Sequence, residues 1–291
     1  MRSERCRQTV ARNPMVARAP SSPRGSGRTC GGDGRAHTDL RALEAGVVGH
    51  RMPHPELVIS EIGWSRDRID RFCWRCGVTR VPFEDVSQGC GECRGRPLRI
   101  GATRVPTRAV VRLGRYGPPL SQWSPAIKQR AWRQMAQRLG AELGRQVIEM
   151  IQAGAMPKPD CVVPVPVHWA RSLLRGINHA EAIAEAAASE LEVACIPALR
   201  ARIASRQAGG DATDRIGNRG RFTLGRSFAR HGAALQGAEV LLVDDVRTTG
   251  STTLEAGRAL ATAGIRGLSI GVLAVADPPR RASLAANVDK F

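Results

Sequence analysis

Apolar residues fall into a few short runs along the chain, and the spacing within each run predicts its element. Glu239–Val243 and Gly267–Val275 are brief, nearly continuous apolar runs bounded by turn residues, which predicts strands covered on both faces. The run Cys161–Val167 contains Pro164 and Pro166, so its strand is expected to end around Val163. Ala131, Met135, Leu139, Leu143, Val147 and Ile151 recur every four residues, the stripe of a helix packed on one side, with Ser124 and Pro125 reading as its N-cap and first turn. Asn178 is the expected N-cap of a helix over about His179–Glu190, and an Ala-rich stretch predicts another from about Thr253 to Ala263. Strands alternating with helices predict an α/β fold with a doubly wound parallel sheet, whose ligands sit at the carboxyl ends of the strands.

Polar stretches divide the chain. Met1 to about Pro55 is rich in Arg, Gly, Ser and Pro without periodicity and is read as a disordered basic extension, with Met15 and Met52 as alternative starts. Glu56–Arg71 is compatible with a short helix or a strand. The glycine-containing polar segment from Leu199 to Asn218 is a candidate mobile lid, after which Phe222 and Leu224 lead to a turn at Gln236-Gly237. The expected organisation is an extension over 1–55, a small four-cysteine unit over 56–100 and the main domain over 101–291.

Composition narrows the class. The 291 residues are 42% hydrophobic, enough for one full-sized core, and carry a formal net charge of +18 supplied mainly by arginine. Such a chain attracts polyanions, either nucleic acid or a pyrophosphate ester. No run of 18 apolar residues predicts a membrane-spanning helix, and the N-terminus does not read as a secretory signal, so membrane insertion is not expected and the cytoplasm is the expected compartment.

Two stretches carry chemistry. Cys73-x-x-Cys76 and Cys90-x-x-Cys93 are separated by thirteen residues, and two such knuckles supply four thiolates for a tetrahedral Zn2+. Four protein ligands leave no open position, so the zinc ribbon is expected to be structural, with folding coupled to metal binding. The second stretch follows the Glu239–Val243 strand. Asp244 and Asp245 stand where strand is expected to meet loop, and Thr248-Thr249-Gly250-Ser251-Thr252 precedes a helix. A glycine that lets backbone approach an anion, flanking hydroxyls and a helix N-terminus make a phosphate cup. The adjacent carboxylates suit vicinal ribose hydroxyls, directly or through Mg2+.

The segment Val243–Thr252 resembles the phosphoribosyl pyrophosphate (PRPP) loop of type I phosphoribosyltransferases, and a four-cysteine ribbon ahead of such a domain is similar to the ComF family, associated with bacterial competence and DNA uptake. The resemblance implies a sheet of the type I phosphoribosyltransferase kind, with Asp244 and Asp245 on ribose and Mg2+ and Thr248, Thr249, Gly250, Ser251 and Thr252 on the 5′-phosphate. It further implies that the Pro164–His168 loop with Arg171 and Arg175 faces the pyrophosphate, and that Arg202 belongs to a flexible loop with Gln207, Arg215 and Asn218. Ala204 stands where the family usually has threonine. Tyr116, Leu120 and Lys128 also match the family's pattern, Lys128 being either a solvated surface charge or a substrate contact. Purine-salvage relatives carry an acid at the position of Thr248, which argues against a purine acceptor. No residue reads as a catalytic base.

Two functions therefore remain open. One is an enzyme that binds Mg-PRPP and displaces its pyrophosphate with a nitrogen nucleophile. The other is a non-catalytic accessory protein of DNA uptake that binds single-stranded nucleic acid through its basic surface. PRPP and single-stranded nucleic acid are the expected partners, with a second copy of the chain a further candidate.

Overall fold

The computed structural model describes residues 54–81, 89–91, 93, 103–167, 178–202 and 221–279. The proposed extension before residue 54 lies outside them, as do Arg171, Arg175, Gln207, Arg215 and Asn218. The three apolar runs become the inner strands of one parallel sheet, and two strands without an expected counterpart form its edges. Its members are β1 (Thr107–Arg115), β2 (Cys161–Pro164), β3 (Ala194–Cys195), β6 (Glu239–Arg247) and β7 (Gly267–Val275), in the order β1-β7-β6-β2-β3. A separate antiparallel pair is formed by β4 (Leu199–Ala201), at the start of the segment expected to form a lid, and β5 (Phe222–Leu224), which follows that segment.

Successive residues of the central strand point to opposite faces, so both faces need a cover. Leu241 and Val243 share one apolar cluster with Leu139, Leu143 and Val147 of α3 (Arg133–Gln152) and Ile183 of α4 (His179–Leu191). Val240 and Leu242 share the other with Leu235 of α5 (Phe228–Leu235) and Ala256 and Leu260 of α6 (Ser251–Ala261). The sheet is thus wound on both sides. Helices α3 and α4 approach closely: a Cβ at Gly140 would lie 2.4 Å from the Ile183 carbonyl oxygen, and only glycine leaves that space.

Several boundaries differ from the expectations. Ser124 and Pro125 do not open the striped helix. They lie inside a shorter one, α2 (Leu120–Ala126), because Leu120, Trp123 and Ile127 bury themselves and Gln129 is extended before α3 begins at Arg133. Ala131 is consequently exposed, while Met135, Leu139, Leu143 and Val147 form the buried face. Strand β6 runs four residues beyond Val243, held by β7 through the pair Arg247–Val275. The β2 strand stops at Pro164, and α4 begins directly after Asn178, close to expectation. The ambiguous segment forms α1 (Pro55–Glu61), and helix α5 has no counterpart among the expected elements.

The cysteine hairpin is seated on the edge of this sheet. The Val110 amide donates to the Trp74 carbonyl at 2.7 Å, and Cys73, Cys90 and Cys93 share the apolar cluster of Val110 and Val275. Beside them Arg112 of β1 is 1% exposed. It donates to Asp67 at 2.8 Å and to the Thr79 hydroxyl at 2.9 Å, lies 3.6 Å from Asp277, and covers the Phe72 ring at 5.5 Å. One buried guanidinium therefore ties three separate segments to the sheet. Among the described residues no helix is long and apolar enough to cross a membrane.

Candidate functional site

The carboxyl end of β6 passes into α6 through Thr248, Thr249 and Gly250. Gly250 stands at the helix N-cap with φ 77°, a left-handed conformation that β-branched residues resist. A Cβ there would lie 2.9 Å from both Nε and Nη2 of Arg247. The Ser251 amide donates to the Thr249 hydroxyl at 3.4 Å, and the Thr253 hydroxyl donates to the Gly250 carbonyl at 3.0 Å. Thr248, Thr249 and Ser251 are exposed and Thr252 is half-buried, so the hydroxyls remain within reach of solvent or a ligand. A left-handed glycine, exposed hydroxyls and the start of an eleven-residue helix are together the kind of chemistry that can receive an anion.

The acid pair is not at an exposed strand end. Asp244 and Asp245 are each 8% exposed, because the β6–β7 ladder continues past them. Asp245 Oδ2 accepts from Lys128 Nζ at 2.7 Å and from the Ser124 hydroxyl at 3.1 Å, with His179 Nε2 at 3.8 Å. Lys128 is thus neither a freely solvated charge nor an isolated one. Burial acts against ionisation of Asp245, but Lys128 overrides it and holds this carboxyl below its ordinary range. Asp244 moves the other way: burial first, then the charge of Asp245, push it well above the usual carboxylate range. The pair shares charge unequally, one carboxylate paired and its neighbour inclined to keep a proton. A cation or hydroxyl donors arriving at Asp244 would reverse that inclination.

Arg247, in the spacer between the acids and the loop, was not among the expected site residues. Its Nη1 donates to the Cys76 carbonyl at 2.8 Å, while its Nε is buried without a hydrogen-bond partner among the described residues. Ser124 and His179 are likewise added by the structure. A charged residue in the spacer was the only signal for Arg247, and residues more than sixty positions from Asp245 left none in the sequence for the other two. Arg202 is exposed at the end of β4, where its amide donates to the Arg221 carbonyl at 2.8 Å.

The Cys73, Cys76, Cys90 and Cys93 sulfurs lie within 4.8 Å of one another, with Cys76 and Cys90 at 3.6 Å. Four sulfurs about 2.3 Å from one tetrahedral ion stand about 3.8 Å apart, so the cluster could hold a metal ion such as zinc. The Cys90 amide donates to Cys73 Sγ at 3.2 Å, a contact that favours thiolate. Hydrogen bonds within the cluster favour the Cys73 thiolate and push Cys93 up to about 12. Crowded thiols that cannot all ionise unaided are suited to a cation that lets them do so.

No protein-family profile matches the chain. It is similar to the DNA utilization protein YhgH of Salmonella typhi, 28% identical over 190 residues that cover 65% of this chain and 77% of that protein. It is also 26% identical over 207 residues to the DNA utilization protein YhgH of Escherichia coli strain K12, covering 71% of this chain and 85% of the relative.

Proposed function

We propose that the chain is a ComF-like protein with a type I phosphoribosyltransferase site that binds Mg-PRPP and transfers its phosphoribosyl group to a nitrogen nucleophile. The observation that supports this best is the continuity at the end of β6: two acids, a left-handed Gly250 and a helix N-terminus lie within eight residues at the carboxyl edge of a parallel sheet. Residues 248–252 would take the 5′-phosphate, and Asp244 and Asp245 the ribose hydroxyls and Mg2+. When bound, Mg2+ would offset the charge of the leaving pyrophosphate. In the transfer the bond from the anomeric carbon to pyrophosphate breaks, a carbon–nitrogen bond forms, and the nucleophile releases its proton to solvent. Arg171, Arg175 and Arg202 belong to the proposal as pyrophosphate contacts. The cysteine cluster, taken as a zinc ribbon over 56–100, is structural in this scheme and leaves 101–291 to carry the chemistry.

A second reading rests on the net charge of +18 and on relatives named for DNA utilization: the chain serves DNA use by binding single strands without catalysis. Isothermal titration with PRPP and Mg2+ beside a single-stranded DNA binding assay separates the two. Heat from PRPP that requires Mg2+ supports the first; DNA binding with no PRPP response leaves only the second.

A further inference from the structure

The cysteine cluster and the anion loop are joined by a single side chain. Arg247 directs Nη1 to the carbonyl of Cys76, a residue of the first knuckle, and its guanidinium fills the space beside Gly250 on the loop, Nε and Nη2 lying 2.9 Å from where a Cβ there would stand. Knuckle and strand ends meet at the same point. A Cβ on Gly77 would lie 2.8 Å from Val110 Cγ1 and 3.0 Å from Val275 Cγ2, and Val275 is the register partner of Arg247. The Ala276 amide donates to the Arg247 carbonyl at 2.9 Å, fixing the backbone from which the guanidinium reaches out. A planar fork with donors on several edges can hold two partners at once, which a lysine ammonium on a flexible stem does less well.

We propose that Arg247 is a positioning residue that couples the cysteine cluster to the anion loop, so that metal held by Cys73, Cys76, Cys90 and Cys93 orders Thr248–Thr252 and strengthens its hold on a phosphate ester. This rests on the assignment of residues 248–252 as a phosphate cup. Without metal the four thiols have no common ligand, the Cys76 carbonyl loses its fixed place, and the guanidinium that walls the loop loses its anchor. With metal bound, the fork is held from one side and its Nε faces the loop. A thiolate-rich metal site also carries net negative charge, which favours the guanidinium beside it.

The test uses the full chain, zinc-loaded and zinc-stripped, as wild type, Arg247→Met and Arg247→Lys. Amide hydrogen exchange at residues 248–252 reports loop order without any ligand. Isothermal titration with Mg-PRPP reports affinity, and competition with a chromogenic chelator reports zinc affinity. Stripping zinc from the wild type should speed exchange at 248–252 and weaken PRPP about tenfold, within the usual span of coupling between sites. Saturating Mg-PRPP should raise zinc affinity by the same factor, since the coupling is reciprocal. Arg247→Met should keep its zinc yet show the same loop exchange with and without it, and Arg247→Lys should behave like Met. Wild-type exchange that ignores zinc, a Met variant that keeps the full zinc response, or a Lys variant that restores it overturns the coupling. A zinc-loaded wild type whose loop responds to zinc but which binds no PRPP removes the phosphoribosyl assignment and leaves the coupling standing.

Discussion

Replacing Asp245 by Asn removes the charge that holds Lys128 Nζ at 2.7 Å while leaving an amide oxygen for the Ser124 hydroxyl at 3.1 Å. A charge-assisted hydrogen bond of this kind contributes about 1.5–3 kcal/mol. The Lys128 side chain is 30% exposed and recovers some hydration when released, so the expected loss is about 1–2 kcal/mol. For a domain of this size that lowers the melting temperature by about 2–8 °C. Replacing Asp244 by Asn should do the opposite at neutral pH. Burial and the neighbouring charge raise its carboxyl, so the folded state takes up a proton more readily than the unfolded state. Stability from protonated Asp244 is complete below the ordinary carboxyl range and is lost as pH rises toward the folded value; the gain in Asp244→Asn should be small near pH ~4 and grow toward pH ~8. Asp245 has the reverse sign: its contribution is present above the ordinary value and is lost as pH falls through the depressed one.

Both variants should nevertheless lose Mg-PRPP, each by about 1.5–3 kcal/mol, or about ten- to a hundredfold in Kd. Urea denaturation from pH 4 to 8 and isothermal titration measure the two effects separately. An Asp244→Asn protein that is destabilised at pH 8 as much as Asp245→Asn refutes the charge assignment, and a double variant that still binds PRPP removes the ligand assignment. The sequence placed both acids where strand meets loop, a position at the edge of the core from which little effect on stability is expected. The extension of β6 changes that expectation for each acid separately.

Arg112→Met should cost about 3–5 kcal/mol by leaving Asp67 and Asp277 without their buried partner, and adding Asp67→Asn and Asp277→Asn should restore part of it, as read by denaturant midpoint. Gly250→Val should abolish PRPP binding, because its side chain meets the Arg247 guanidinium and resists a φ of 77°, while circular dichroism shows the fold retained. Purified protein should carry about one zinc per chain by metal analysis, and Cys76→Ser should lower both zinc content and the melting temperature, because the cysteines share the apolar cluster of Val110. If the chain binds single-stranded DNA, log affinity should fall linearly with log salt concentration as arginines release counterions.

The three inner strands of the sheet were legible because they are short apolar runs with few alternatives, and Gly267–Val275 was delimited without error, whereas the edge strands β1 and β3 were not read. The Thr248–Thr252 loop was legible for a similar reason: glycine, hydroxyls and a following helix are local chemistry. Helix α5 was missed because Phe228–Leu235 contains Gly232, Arg230 and His231, a weak local pattern stabilised by burial of Leu235. The start of α3 was misplaced because Ser124-Pro125 fits an N-terminus locally, whereas tertiary burial of Trp123 against Trp64, with ring centroids 5.3 Å apart, decides that Leu120–Ala126 forms its own helix. What local pattern could not show was partnership across the chain. Lys128 with Asp245 and Arg247 with Cys76 are separated by more than a hundred positions. Only the sheet order brings such residues together.

The two halves of the β6 terminus ask for opposite charges, and that separates the two functional readings physically. The loop offers exposed hydroxyls and a helix N-terminus to an anion, whereas Asp244 and Asp245 require a cation or hydroxyl donors before both can ionise comfortably. Lys128 pairs directly with Asp245, and its charge only partly offsets the burial of Asp244, whose carboxyl stays raised. A phosphate ester bearing vicinal hydroxyls and a bound divalent cation answers both demands at once. A DNA strand offers phosphates to the loop but lacks the vicinal diol, and a second phosphate near the acids would be repelled. Single-stranded DNA is therefore expected to bind elsewhere on the basic surface and to coexist with the sugar phosphate rather than compete for the same cup.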